Sequence, residues 1–234
     1  AAFCGSTDIG QGPDSVLAYC VADVLGIEPE DIRIVTGDTD LTPVDLGSYS
    51  SRVTLMTGNA AVQAAERARE ILADGVSRKL NVPKSRLVFA DRRVFDTESP
   101  DRGVPFAEAV QIAEGMFGTV GTTGSYTPPR SPGRYKGAGV GPSPAYSYTA
   151  AVAEVEVDPE TGMVRVPKIW IAHDVAQSTN PLPVIGQVEG SVYMGLGEAL
   201  MEEMTYRDRV RNVVHHHPSM LAYKGATTVV MCGV

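Results

Sequence analysis

A polar, glycine-punctuated run at Gly5–Gly12, GSTDIGQG, breaks directly into apolar positions at helical spacing. In DSVLAYCVADVL (14–25), Val16, Leu17, Cys20, Val21, Val24 and Leu25 share one helical face. That pattern predicts a helix capped by Asp14 or Ser15 and ended by Gly26. Ala1-Ala2-Phe3 has the character of mid-strand, DIRIVT (31–36) alternates as a strand does, and Gly37–Asp40 turns the chain. A long helix is predicted over 54–80. Its alanine-rich middle favours close packing, and Glu66 and Glu70 lie on an exposed face near Arg67 and Arg69. RLVFADRRVFD (86–96) predicts a hairpin turning at Ala90-Asp91-Arg92, and Val104–Gly115 a short helix opened by Pro105 and closed by Gly115.

Periodicity then lapses from Thr119 to Tyr146, a long Gly/Pro/Ser segment carrying Tyr126, Tyr135 and Tyr146. Loops of this length inside a compact domain are functional or disordered, and the aromatics favour a wall of a pocket. The clearest β signal follows: 150–158 and 163–175 alternate around the turn Pro159-Glu160-Thr161-Gly162. Ala176–Asn180 is polar, and Pro181 and Pro183 lead into a helix over 184–204. Short strands and loops are expected from Arg207 onward. Strands and helices mixed without regular βαβ alternation predict an α+β fold. Two parts are expected, 1–118 and 119–234.

Composition narrows the function classes. The 234 residues are 43% hydrophobic with net charge -8, the two signs interspersed, so no basic stripe points to nucleic acid. No apolar run is long enough for a membrane span, and the N-terminus has no secretory signal pattern. Cys4, Cys20 and Cys232 are few and far apart, which fits free thiols in a reducing, cytoplasmic setting. His215-His216-His217 fits a solvated loop better than a metal site, because three adjacent side chains cannot all face one ion.

Three polar clusters carry candidate chemistry. Asp8-Ile9-Gly10-Gln11-Gly12 stands at the mouth of the first helix; alone it is an ordinary turn, matching neither a P-loop nor a dinucleotide fingerprint. Gly47-Ser48-Tyr49-Ser50-Ser51-Arg52 precedes the long helix, where Ser50 or Ser51 could equally be a simple N-cap. His173-Asp174, then Ser178-Thr179-Asn180, then Gln187 form the third, with His173 readable alone as a strand-end histidine. Together they offer amides, hydroxyls and glycines, with no metal-binding trio. That set suits a large anionic organic cofactor held by neutral hydrogen bonds.

The stretches GSTDIGQG, VTGDTDLTPVDLGSYSSRVTLMTGNAAVQAA, PAYSYTAAVAEVEVDPETG and HDVAQSTNPLPVIGQVEGSVYMGLGEALMEE resemble the large molybdenum subunit of the xanthine oxidase (molybdenum hydroxylase) family, over about residues 1–225. Within it, LGSYSSRVTLMTGNAA and PSMLAYK look most like the alpha subunit of 4-hydroxybenzoyl-CoA reductases. The resemblance implies a molybdenum–molybdopterin cofactor, as the cytosine dinucleotide, whose own sulfurs hold the metal. By motif, Gly10, Gln11 and Gly12 would stand near the pterin and molybdenum. Ser48, Ser50, Ser51, Arg52 and Thr54 would wrap the pterin and phosphates. Gln187 would contact the pterin, and Asp174 and Asn180 would shape the dinucleotide site. Tyr126, Tyr135 and Tyr146 would line the substrate pocket.

The implied partners are an iron–sulfur subunit and an FAD subunit, ferredoxin as electron donor, and an aromatic acyl-CoA as substrate. The implied reaction is removal of the phenolic hydroxyl of 4-hydroxybenzoyl-CoA, giving benzoyl-CoA and water. The same family resemblance accommodates hydroxylation of an aldehyde, purine or other heterocycle, or an inactive fragment that binds cofactor or partner. The family's glutamate base belongs to a segment beyond Val234, so no catalytic residue is assigned, and the chain resembles an internal fragment. Ala176 stands where the family usually has glycine.

Overall fold

Gly12 and Pro13 fix where the first helix begins. Gly12 takes a left-handed backbone (φ 80°) and Pro13 supplies the pre-set φ of a first helical position, so α1 runs Pro13–Leu25. Neither Asp14 nor Ser15 caps it through a side chain. Asp14 instead accepts a hydrogen bond from Thr36 Oγ1 at 3.2 Å. The computed structural model describes residues 1–49, 51–129, 147–207, 210–214 and 226–231. They fall in two compact units, Ala1–Pro144 and Ala145–Val234, each taken by itself below.

In the first unit α1 joins two short parallel strands, β1 (Ala2–Cys4) and β2 (Ile34–Thr36), with Ala2 opposite Ile34. The strand expected from residue 31 starts later because Pro29–Asp31 forms a 3-10 turn closed by reciprocal Glu28 and Asp31 bonds. The long helix α2 spans Val53–Leu80, and its N-terminal half packs on α1. The most buried residues of α1 are Pro13, Leu17, Ala18 and Ala22, with the predicted Val16, Cys20, Val21, Val24 and Leu25 less completely covered. Small side chains, not the widest apolar stripe, define the contact. Burial, with Asp23 nearby, pushes the Cys20 thiol above its ordinary pKa, which keeps it protonated and unreactive.

The C-terminal half of α2 covers an antiparallel sheet of β3 (Leu87–Ala90), β4 (Arg93–Asp96) and β5 (Ser99–Pro105), in that order. The predicted hairpin turn is tighter than expected: Ala90 stays in β3, and Asp91 and Arg92 alone turn the chain at φ 52° and 57°. Positive φ at both turn residues matches the right-handed twist of the strands. β5 has no alternating signal; its SPDRGVP sequence buries only Val104 and half-buries Gly103. α3 (Phe106–Phe117) runs through Gly115, which remains helical, and is closed by Gly118 at φ 82°. Leu72, Ala73 and Val76 of α2 meet Val82, Leu87, Phe89, Val94, Val104, Ala109 and Ala113 in one core.

Two ion pairs pin this sheet. Arg86 grips the fully buried Asp96 with Nε 2.9 Å from Oδ1 and a second bond through Nη2. Arg92, in the turn, reaches Asp31 at 2.6 Å and donates its backbone N–H to the Gly26 carbonyl, tying the sheet to the end of α1.

The second unit carries the predicted hairpin, β6 (Tyr148–Val157) and β7 (Val164–Asp174), with Val152 opposite Trp170 and Glu154 opposite Lys168. α4 spans Pro181–Leu200. It starts ahead of the predicted 184 because prolines are tolerated in a first turn, where the missing N–H has no partner to lose. It stops before the predicted 204 because Glu203–Arg207 forms β8, paired antiparallel with β9 (Val210–Val214). β10 (Ala226–Met231) adds parallel to β7, giving the order β10-β7-β6. No helix among the described residues is long and apolar enough to cross a membrane.

Acid should loosen the first unit. Arg86 holds the Asp96 carboxyl below its ordinary pKa, and Arg92 does the same to Asp31. A depressed folded-state pKa contributes stability that is complete above the unfolded value, about 4, and is lost as pH falls through the lower folded value. Denaturation midpoints should therefore drop below about pH 4. Asp96→Asn should be less stable at pH 7 and lose part of that acid dependence; an unchanged acid limb in that variant would contradict this.

Candidate functional site

The loop before α1 is organised by Asp8, the first residue of its polar cluster. Asp8 Oδ1 accepts the backbone N–H groups of Gly10 at 2.8 Å and Gly12 at 3.3 Å. Asp45 Oδ1 does the same for Gly47 at 2.8 Å. Both are Asp-x-Gly turns in which a carboxylate caps the amide two residues on. The glycine amides expected to face an anion are thus already donated to Asp8, and a carboxylate already stands at the mouth of α1. The sequence signal was available in Asp8-Ile9-Gly10 and Asp45-Leu46-Gly47.

Gln11 is used differently. Its Oε1 accepts from the Ile9 N–H at 2.9 Å, which fixes the amide's orientation. Its Nε2 is buried and has no hydrogen-bond partner among the described residues. Gly10 and Gly12 flank it with left-handed backbones (φ 106° and 80°) and open space where a Cβ would stand. A buried, unpaired donor costs about 1–3 kcal/mol until something accepts from it.

The second loop is built around Arg52. Its Nη1 donates to Asp45 Oδ1 at 2.8 Å and to the Gly47 carbonyl at 2.6 Å, and its guanidinium lies 5.8 Å from the Tyr49 ring centroid. Arg52 is also the N-terminal boundary residue of α2; Ser51, at φ 50°, makes no cap. Ser48 Oγ donates to the Thr7 carbonyl at 2.5 Å. A side chain on Gly5 would overlap the Pro43 carbonyl, so the 5–12 and 43–52 loops are pressed together. Buried Ser6 lies 3.4 Å from Thr57 Oγ1, which ties the pair to α2. Thr54 is exposed on the first turn of α2.

In the second unit, His173 Nδ1 lies 2.5 Å from Thr149 Oγ1 across the hairpin. Asp174 accepts the Ala176 N–H at 2.8 Å. Asn180 precedes α4 without a side-chain capping bond, and Gln187 lies on that helix. Tyr126 is half-buried in the first unit. Ser50, Tyr135, Tyr146 and His215–His217 lie outside the described residues. A separate cleft of about 740 Å³ between α2 and β3, lined by Glu66, Arg69, Glu70, Lys84, Ser85 and Phe89 among others, contains none of the predicted site residues.

Residues 1–228 match the model of the molybdopterin cofactor-binding domain. The chain belongs to this family. It is the molybdopterin-binding domain of xanthine oxidase family molybdenum hydroxylases, and its α+β fold is that of the large subunit. The chain is 32% identical over 204 residues to the probable hypoxanthine oxidase XdhD of Escherichia coli, covering 86% of this chain and 20% of that protein. It is 31% identical to the 6-hydroxypseudooxynicotine dehydrogenase complex subunit gamma of Paenarthrobacter nicotinovorans, covering 87% and 25%. The crystal structure of quinoline 2-oxidoreductase from Pseudomonas putida superposes with a TM-score of 0.74 at 24% identity, over 98% of this chain and 29% of that one. The chain thus spans about a fifth to a quarter of the length of these curated relatives.

A pterin fits what the molybdopterin domain offers around Gln11. A flat heterocycle rich in carbonyl and ring-nitrogen acceptors answers a buried neutral donor beside two glycines. Arg52 is neutralised by Asp45, so these two loops set no free cation beside that donor. Gln11→Ala should lower the pterin recovered per protein, measured by fluorescence of the released, oxidised cofactor. Because one bond and one unpaired donor vanish together, cofactor-free stability should change by less than about 1 kcal/mol.

The glycine-to-alanine departure at Ala176 also has a physical basis. Ala176 sits at φ 55°, a left-handed backbone that a Cβ disfavours. Ala176→Gly should raise the stability of the domain by about 1 kcal/mol in chemical denaturation. The same change at Gln177, which has no positive φ, should not.

Proposed function

We propose that this domain holds the pterin of a molybdenum hydroxylase whose reaction is hydroxylation of an aldehyde, purine or other heterocycle. The observation that carries the cofactor part is the buried, unpaired Gln11 Nε2 between two open glycines. When bound, the cofactor supplies two-electron exchange at molybdenum. The chain's own part is to orient the pterin through Gln11 and to hold the surrounding loops through Asp8, Asp45, Arg52 and Ser48. Substrate class rests on the relatives, one named an oxidase of hypoxanthine and one a dehydrogenase of a hydroxylated nicotine derivative. The cytosine dinucleotide form, with iron–sulfur and FAD subunits as partners, is part of the same proposal, supported by a relative named as a complex subunit. Few, separated cysteines, with Cys4 and Cys20 free, support a cytoplasmic setting.

A second reading is favoured by the LGSYSSRVTLMTGNAA and PSMLAYK stretches: reductive removal of the hydroxyl of 4-hydroxybenzoyl-CoA, with electrons from ferredoxin. The two separate cleanly by assay. Complex purified from its host should contain molybdenum and a pterin nucleotide; the absence of both would sink either reading. Turnover of aldehydes, hypoxanthine or related heterocycles with an artificial acceptor, and none of 4-hydroxybenzoyl-CoA with a low-potential donor, is expected on the first. The reverse pattern selects the second.

A further inference from the structure

The segment after α3 lies along α2 in a definite order. Val120 packs against the core that includes Leu72, Ala73 and Val76. Thr122 Oγ1 donates to the Ala64 carbonyl at 2.7 Å. A side chain on Gly124 would overlap the Ala60 carbonyl oxygen and stand 2.8 Å from the Ala64 nitrogen. Arg67 reaches across to donate to the Thr123 carbonyl. The contacts step from Leu72 through Ala64 to Ala60 as the segment advances, so it runs antiparallel to α2, toward the end where the 45–52 loop begins. Two more extended residues advance the chain by about 6–7 Å, roughly four residues of helix at about 1.5 Å each. Continued in the same direction at that spacing, the segment would bring Tyr126 near the level of Met56, one turn from Arg52.

We propose that residues 119–126 form a strap whose register on α2 is set by Gly124 and fastened by Arg67, and that these two act as positioning residues delivering Tyr126 to the cofactor-loop end of the helix as part of the substrate wall. This rests on the proposed function above only for its second half. Glycine is the only residue type that permits the approach at 124, because the atoms it meets are helix backbone, which cannot move aside. Thr122 and Arg67 add the two cross-bonds. Tyr126 itself carries no bond among those of the strap and is left half-buried to face what enters.

The test uses the full complex purified with its cofactor, in four variants: Gly124→Ala, Arg67→Ala, Arg67→Lys, and Gly121→Ala as a control, since a Cβ at 121 meets nothing within 4 Å. Hydrogen exchange of 119–126 should speed up in Gly124→Ala and Arg67→Ala, and stay as in the parent for Arg67→Lys and Gly121→Ala. With pterin and molybdenum content unchanged, KM for the accepted substrate should rise about tenfold or more in the first two with kcat moved much less, and recover in Arg67→Lys. Equal exchange in Gly124→Ala and Gly121→Ala would overturn the strap itself. Faster exchange with unchanged KM would overturn its role at the substrate wall. If no substrate turns over in the parent, the exchange result still decides the strap, and the failure belongs to the functional reading.

Discussion

A 28-residue helix can serve as the common support of a domain only if its neighbours are let in close at several levels, and α2 is built to do so. Near its start Gly58 admits Cys20 of α1, with Sγ 3.6 Å from where a Cβ would be. Near its end Gly75 admits α3, with the Ala113 Cα 3.3 Å from the same virtual atom. Between them Ala60 and Ala64 leave room for Gly124. A methyl group at Gly58 would make ordinary contact with Cys20, whereas at Gly75 it would press Ala113 and at Gly124 it would overlap helix backbone, forcing shifts that cost about 1–3 kcal/mol. α1, α3 and the 120–126 segment thus take their positions from one helix, and the two loops that hold Gln11 and Arg52 take theirs from its first turns.

Those loops are preorganised by their own carboxylates. Asp8 and Asp45 each close a turn on a glycine amide, and Asp45 also neutralises Arg52. Among the described residues of these two loops, an entering anion would meet two carboxylates and no free cation, whereas a neutral, acceptor-rich ring meets a donor in want of a partner. On the proposed reading, these electrostatics favour the pterin portion of a cofactor over its phosphates at this point in the fold.

Much of this was legible because periodicity is physical. The 148–174 hairpin alternates apolar and polar side chains, and α2 has both its period and its alanines, so both were placed to within a few residues. The misses have equally local causes. β5 carries a Pro-Asp-Arg-Gly run that no strand pattern would select, and it is a strand because β4 offers it an edge. Gly115 looked like a stop because helices often close on glycine, yet the next glycine at 118 is the one free to turn left-handed. The resemblance places Arg52 among the residues that wrap the pterin and phosphates, but it does not show what Arg52 bonds to within the chain. Its partner in the structure, Asp45, is seven residues back, a distance at which sequence alone does not reveal pairing. Ala176 was flagged only by resemblance, and the cause of the flag, a positive φ, belongs to the backbone.

Ownership of hydrogen bonds is what separates a residue near a site from one that binds there. Ser48 and Arg52 already hold loop atoms, so a ligand can recruit them only by breaking bonds whose net loss is about 1 kcal/mol each. Gln11 Nε2 has nothing to give up; accepting from it relieves a penalty already present in the folded chain. The bonds that occupy Ser48 and Arg52 also keep the Gln11 loop still, so little ordering entropy remains to be lost when the ring arrives. On the proposed reading, Ser48 and Arg52 are thus scaffolding, and the pterin is met by the amide that the scaffolding leaves unmatched.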